Sequence, residues 1–223
     1  MRILVDNELL EFTDDELAWL YMGAGNESLV YQYRDEALKI YNFRCTKYRL
    51  VEEDALKLKE IATKRILLPS RIIRNPDNGE FVGYTTKLIK KASITGIIRM
   101  KMGEFMSELD ILRSDAMLLA DHNVDLEDFN LNNTAYNGKI FFVDPGSYAI
   151  KTNPEAIRFV RSNNSFALNT YVEEDVFGMV NLTKAEKRRL SEKCTGFEYI
   201  GDFFRETADE KESVRQYVKR MAR

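Results

Sequence analysis

The sequence predicts an α+β chain in two parts, a strand-rich region over residues 1–91 and a mainly helical region over 92–223. Three observations carry this. Up to residue 91, short runs rich in aromatic and β-branched residues are bounded by Gly, Asn, Asp or Pro. Beyond it, apolar residues recur mostly at helical spacing. A chain of 223 residues with four prolines, eleven glycines, no low-complexity linker and no internal repeat has room for one full domain or two small lobes that bury a core.

The strand-like runs fall at 16–21, 29–33, 37–41, 71–74 and 81–89. Between the third and fourth, Leu50, Val51, Ala55, Leu58 and Ile61 recur at helical spacing and predict a helix over 48–64. Asn75-Pro-Asp-Asn-Gly79 supplies the turn between the last two strands. The order is three strands, one helix, two strands. In the second part a long helix over 102–122 places Phe105, Met106, Leu109, Leu112, Ala116, Leu119 and Ala120 on one face, with Asp and Glu elsewhere. A hairpin over 134–136 and 139–143 turns at Asn137-Gly138. Helices follow at 155–160, 169–179, 183–193 and 209–221, the third opened by the capping box Thr183-Lys-Ala-Glu186.

Lys and Arg total 33 against 36 Asp and Glu, a formal charge of −3, which lacks the strongly basic footprint of a general nucleic-acid binder. Hydrophobic residues at 44% and charged residues at 31% fit a soluble globular protein and not a disordered one. The single histidine removes Ser-His-Asp hydrolysis and His-rich zinc sites unless His122 carries them alone. Cys45 and Cys194 sit in no metal or redox spacing and read as two reduced thiols. Acids at Asp6 and Glu8 interrupt the apolar stretch that a signal peptide needs. The apolar runs at 66–68 and 140–143 fall far short of the roughly 20 residues that span a bilayer. The expectation is a soluble, cytoplasmic protein without a membrane or nucleic-acid partner.

Three segments carry chemistry. Gly23-Ala-Gly25-Asn-Glu-Ser28-Leu-Val30-Tyr31 lies between two strands, where glycines let backbone N–H groups approach phosphates. Lys39 follows on the next strand, able to reach the space beneath that turn. Asp128 and Asn133 come after the long helix, and Ile140-Phe-Phe-Val-Asp144-Pro-Gly146 is a strand that stops at a carboxylate. Asn133 and Asp144 therefore flank one hairpin. Hard oxygen ligands together with a lysine and a glycine turn suit a magnesium-bound nucleoside triphosphate.

These residues resemble the protein-kinase-like fold. Gly23-x-Gly25-x-x-Ser28-x-Val30-Tyr31 is similar to its glycine-rich loop, with Ser in place of the third Gly, and Ala37-Leu-Lys39 to its phosphate-pairing strand. The resemblance implies a two-lobed fold with a five-stranded, one-helix N-lobe at 1–91 and an abbreviated helical C-lobe at 92–223. It implies ATP held by Gly23, Ala24, Gly25, Ser28, Val30 and Lys39, with Glu53, or its neighbour Glu52, paired to the lysine. Both Asp125-x-x-x-x-Asn130 and Asp128-x-x-x-x-Asn133 satisfy the catalytic-loop spacing. The flank His122-Asn-Val124 resembles the family's approach to that loop and selects Asp128, leaving Asp125 and Asn130 as solvated loop. Asp128 then orients the attacking hydroxyl, and Asn133 and Asp144 bind Mg2+.

The departures bear on function. Leu126-Glu127 stands where the family carries His-Arg, Asp144-Pro145-Gly146 replaces Asp-Phe-Gly, and Asn153-Pro-Glu155 comes too soon to close a full activation loop. The resemblance covers 16–150 well and the last seventy or so residues poorly. It implies an ATP- and magnesium-dependent phosphotransferase acting on a hydroxyl of a protein or small molecule. The alternatives are a pseudokinase that binds nucleotide or a partner, and nucleotidyl transfer on the same fold. Trp19 and Tyr21 are expected to pack in the first strand, and His122 to cap a helix or face solvent. The basic stretch over 213–223 reads as a solvated helix face.

Overall fold

The computed structural model describes residues 1–25, 27–42, 50–90, 93–144 and 148–223. The fold is α+β and divides into two units. One comprises Met1–Thr63, Leu67–Leu88 and Val143–Ala149; the other comprises Lys64–Ile66, Ile89–Phe142 and Ile150–Arg223.

The first unit is built on an antiparallel sheet of seven strands where the sequence reading expects five. In chain order they are β1 (Arg2–Val5), β2 (Glu8–Glu11), β3 (Tyr21–Ala24), β4 (Ser28–Tyr33), β5 (Glu36–Tyr41), β6 (Arg71–Arg74) and β7 (Phe81–Lys87), arranged β2-β1-β6-β7-β5-β4-β3. The additional pair is an amino-terminal hairpin. It turns at Asp6, whose positive φ of 49° an Asp tolerates, and it buries Ile3, Val5 and Leu10 against Tyr31, Leu38 and Ile73. Asp6 Oδ1 accepts from the Ile72 N–H at 3.0 Å, tying that turn to β6.

The strand expected over 16–21 is instead a helix, α1 (Asp14–Leu20), and the strand begins only at Tyr21. Thr13-Asp-Asp-Glu16 is a capping box: Thr13 Oγ1 accepts from Glu16 N–H at 3.2 Å, and the Glu16 carboxylate accepts from Thr13 N–H at 2.7 Å. Leu17 and Leu20 pack on the hairpin's core. Trp19 falls on the opposite side and is 89% exposed, so it does not pack as expected. Helix α2 (Glu52–Lys59) buries Ala55 and Leu58 completely; residues 48 and 49 of the expected helix, and Cys45 before it, lie outside the described residues. Gly83 has a clear steric reason. A Cβ there would stand 2.0 Å from the Lys39 carbonyl oxygen, so only glycine lets β7 come this close to β5.

The second unit is organised by α3 (Met102–Asp121), whose Met102, Phe105, Leu109, Leu112, Ala116 and Leu119 are fully buried. Two acids share this face against expectation, Glu108 and Asp115, at 8% and 4% exposure. Both are saturated with donors. Asp115 Oδ2 accepts from three successive backbone N–H groups, those of Lys64, Arg65 and Ile66, at 2.8, 2.6 and 3.1 Å. Glu108 takes a two-pronged bond from Arg65 and a third from the Ile140 N–H.

After α3 come β8 (Val124–Leu126), the hairpin of β9 (Thr134–Tyr136) and β10 (Ile140–Phe142), and then β11 (Tyr148–Ile150). Gly138, at φ +96°, makes the hairpin turn. Phe141 and Phe142 are both buried, and Phe142 stacks on Phe129 with Tyr171 edge-on to the pair. Helix α4 (Pro154–Thr170) is continuous across 161–168, which the sequence reading left unassigned; Asn153 caps it, and it runs on through a π-helical turn at Tyr171–Val176. Helices α5 (Lys184–Cys194), α6 (Ile200–Thr207) and α7 (Val214–Met221) complete the unit. Helix α6, not expected, buries Phe203 and Phe204, and α7 is amphipathic: its basic face, with Arg215, Lys219 and Arg220, is solvated as expected, while Val214, Tyr217 and Val218 sink into the core. Cys194 is a free thiol, and burial pushes it up to about 12. His122 is the exposed C-cap of α3.

Asn164 on α4 is fully buried and joins three elements: its Nδ2 donates to Ala116 O and Val124 O, each at 3.0 Å, and its Oδ1 accepts from Leu126 N–H at 2.9 Å. Asn164→Leu leaves the Leu126 N–H in the core without its acceptor and takes one donor from each of the Ala116 and Val124 carbonyls. Each unsatisfied group costs about 1–3 kcal/mol, so unfolding in urea is expected to show a loss of roughly 3 kcal/mol; a loss below about 1 kcal/mol would mean that water replaces the amide. Among the described residues no helix is long and apolar enough to cross a membrane.

Candidate functional site

The sequence-derived residues fall into two groups, each lying within one unit. In the sheet unit the register aligns Val30 with Lys39 and Lys39 with Tyr84 across β4, β5 and β7. Directly opposed residues of antiparallel strands share a face, so these three side chains project together. The β3–β4 turn hangs over the same end: Gly23 opposes Val30, Ala24 opposes Leu29, and Gly25 N–H donates to Ser28 O at 2.9 Å. Neither Gly23 nor Gly25 has positive φ, and a Cβ added at either would meet no atom within 4 Å. Internal packing therefore does not demand glycine at these positions; what glycine provides is open space beside the turn. Asn26 lies outside the described residues. Ser28 is buried at the start of β4.

Lys39 is 7% exposed, and its ammonium forms an ion pair with the Asp144 carboxylate, 105 residues further along the chain. A lysine buried to this degree needs such a partner. Its Nζ also lies 5.7 Å from the ring centroid of the fully buried Tyr84. Burial, and then the charge of Asp144, pushes the Tyr84 hydroxyl well above its ordinary range, so it stays a neutral phenol. Pro145 and Gly146 of the Asp-Pro-Gly sequence lie outside the described residues.

The expected partner of Lys39 is not brought to it. Glu53 is exposed on α2 and accepts from Lys57 one turn on at 2.7 Å; that hydrogen bond holds its carboxyl below the usual range. Its neighbour Glu52 pairs with Arg74. The i,i+4 spacing offered Glu53 a local cation that strand Lys39 had to compete with.

In the helical unit Asp128 and Asn133 are joined. Asn133 Nδ2 donates to Asp128 Oδ2 at 2.9 Å and to Asp128 O at 3.0 Å, and Asn130 Nδ2 donates to Asp128 Oδ1. With both acceptors facing its amino group, the Asn133 amide has one satisfactory orientation, which leaves its Oδ1 for an external donor or cation. The segment is held by its own caps: Asn130 Oδ1 accepts from Asn132 N–H at 2.9 Å, and Thr134 Oγ1 donates to Asn130 O at 2.8 Å.

Asp175, in the π-helical turn, anchors the loop from below by accepting from Leu131 N–H at 3.1 Å. Burial raises its carboxyl above the usual range, the Leu131 bond works against this, and the charges of Glu174 and Asp128 raise it further. Sequence reasoning missed Asp175 because it stands in the acidic run Glu173-Glu174-Asp175, which reads as a solvated face.

Asp125 and Asn130 are not solvated loop as expected. Asp125 is 7% exposed, accepting from Asn163 Nδ2 at 3.0 Å with Lys151 at 3.7 Å, while Asn130 caps the turn and steadies Asp128. Among the described residues no cluster of three or more His, Cys, Asp or Glu could cage a metal ion. A cation held beside Asp128 in the helical unit would rest on isolated oxygens such as Asn133 Oδ1. No protein-family model matches the chain, and no curated protein matches it in sequence.

Proposed function

We propose that the chain is an ATP- and magnesium-dependent phosphotransferase of the two-lobed protein-kinase-like fold, acting in the cytoplasm on a hydroxyl of a protein or small molecule. The observation that carries this reading is the Lys39–Asp144 pair. A buried strand lysine is met by the one carboxylate that the resemblance assigns to the metal, beside a glycine turn with open space around it.

The oxygen donors suit magnesium, which accepts one or two protein ligands and completes its shell with water and phosphate. Asp144 and Asn133 would hold it. When bound, magnesium neutralises charge on the phosphates and orients the transferred group. Lys39, released from Asp144, binds α- and β-phosphate oxygens. Gly23, Ala24 and Gly25 present backbone N–H groups to the phosphates, with Ser28 and Val30 forming the start of the strand beneath. Asp128, held by Asn130 and Asn133, accepts a hydrogen bond from the attacking hydroxyl and takes its proton.

One observation favours a second reading, a nucleotide-binding or regulatory pseudokinase. In active protein kinases the lysine must be paired with the helix glutamate, and here Glu53 bonds Lys57 instead. Nucleotidyl transfer is a third outcome of the same site. Titration with ATP and magnesium separates them: the midpoint of thermal unfolding is expected to rise, by mass action, at millimolar ATP and not in Asp144→Ala. No shift would overturn both transfer readings, phosphoryl and nucleotidyl. If a shift appears, label transferred from γ-labelled ATP supports phosphorylation, label from α-labelled ATP supports nucleotidylation, and no transfer supports the binding module.

A further inference from the structure

A cavity of about 630 Å³ opens on the helical unit between α3 and α4, and it shares no lining residue with the groups described above. Its size is that of a small-molecule site. The sequence supplies it with cations and hydroxyls at helical spacing: Arg158, Arg161, Ser162 and Ser165 follow at i, i+3, i+4 and i+7 on α4, and Arg113 and Ser114 line it from α3.

The ionic partners are unevenly distributed. Arg161 is held by Asp121, and the cavity's Asp110 is held by Arg205. Among the described residues no carboxylate lies within ion-pair distance of Arg113 or Arg158. Arg113 is nevertheless positioned, because its guanidinium lies 4.2 Å from the ring centroid of Tyr199, a fully buried residue whose hydroxyl donates to Asp110 at 3.2 Å. A guanidinium stacked in this way keeps its N–H edge for an acceptor with paired oxygens. An independent feature is Ser165. It is 8% exposed, it lines the cavity, and its hydroxyl makes no hydrogen bond to any described residue. Its oxygen is not sealed in the core, so a ligand in the cavity can reach it. Ser162 already donates to Phe159 O at 2.9 Å.

We infer that this cavity binds a phosphomonoester, with Arg113 and Arg158 taking the phosphate oxygens and Ser165 and Ser114 donating their hydroxyl protons. Two arginines without carboxylates match one dianion. Glu198, also in the lining and without an ion pair among the described residues, repels longer polyanions, so the ligand carries a single phosphate and is neither a polyphosphate nor a nucleic acid. The inference does not depend on the phosphotransferase reading.

Isothermal titration with inorganic phosphate, at ionic strength held constant with chloride, tests it. Saturable binding at millimolar phosphate or below is expected, weakened about tenfold or more in Arg113→Gln and in Arg158→Gln, since each removes charge-assisted hydrogen bonds. Ser165→Ala is expected to weaken it several-fold. Lys39→Ala should leave it unchanged, which separates this site from any nucleotide site. Circular dichroism checks that each variant is folded. Absence of saturation by about 10 mM, retention of full affinity in both arginine variants, or tighter binding of tripolyphosphate to the same arginines would overturn the proposal.

Discussion

Asp128→Ala is expected to lower the rate of phosphoryl transfer by roughly 10²–10⁴-fold, the usual contribution of a positioned general base, while leaving the dissociation constant for ATP and magnesium within a few-fold of the parent. The asymmetry follows from the hydrogen bonds. Asn133 has two acceptors on residue 128, the carboxylate at 2.9 Å and the backbone carbonyl at 3.0 Å. Alanine removes the first and keeps the second, so the amide retains its orientation and its Oδ1 stays available to the cation. Asn130 loses a partner at an exposed position, where water replaces it at little cost.

Single-turnover kinetics with γ-labelled ATP, beside equilibrium binding of the nucleotide, read the two quantities separately. Asp144→Ala should behave in the opposite sense, losing metal-dependent binding first. If Asp128→Ala and Asp144→Ala lose nucleotide binding equally, the division of roles is wrong. If the parent binds nucleotide and transfers nothing, the pairing of Lys39 with Asp144 and of Glu53 with Lys57, in place of a Lys39–Glu53 pair, is the reason to pursue, and Glu53 becomes the residue that separates a binding module from an enzyme.

How much of this could be read in advance depended on whether the signal was local. The Asn137-Gly138 turn, the Thr183 capping box, and the strands around Lys39 lie where their residue types place them, because turn chemistry and capping act over two to four residues. The strand expected at 16–21 failed although an equally local signal was present: Thr13-Asp-Asp-Glu16 is a helix start, and the aromatic residues after it drew the reading toward strand. Pairings across the chain were less accessible. That Glu108 and Asp115 would be core residues of α3 depends on Arg65 and on three backbone N–H groups some fifty residues away, and neither spacing nor composition carries that information. Leu126, which stands where the resemblance expects histidine, is a core residue at 3% exposure, and the Asn164 side chain that receives its N–H comes from a stretch of α4 to which no element had been assigned.

The largest loss of stability is expected from Glu108→Ala. Arg65 and Glu108 have side chains only 12% and 11% exposed, and one edge of the guanidinium meets the carboxylate with two hydrogen bonds, through Nε at 2.6 Å and Nη2 at 2.9 Å. The hydrogen bond to Glu108 is the main cause that raises the Arg65 pKa, against the opposing effect of burial. Because a guanidinium does not shed its proton at accessible pH, removing Glu108 leaves a largely buried cation without its carboxylate partner, with the Phe141 ring centroid at 5.2 Å and the Lys64 carbonyl at 3.3 Å. Breaking a buried pair from one side costs about 3–5 kcal/mol. The Ile140 N–H, which also donates to Glu108 at 3.1 Å, loses its acceptor in the same step. For a chain of this length the midpoint of thermal unfolding should fall by roughly 6–20 °C. Glu108→Gln keeps one acceptor oxygen and should lose less. The decisive comparison is Arg65→Met with Glu108→Leu: a double variant that recovers much of the lost stability, measured by urea unfolding, means that the isolated charge is what destabilises the single variant. A double variant no better than Glu108→Ala would shift the cause to the unsatisfied Ile140 amide, and with it the role of Glu108 from partner of Arg65 to support of the hairpin that leads to Asp144.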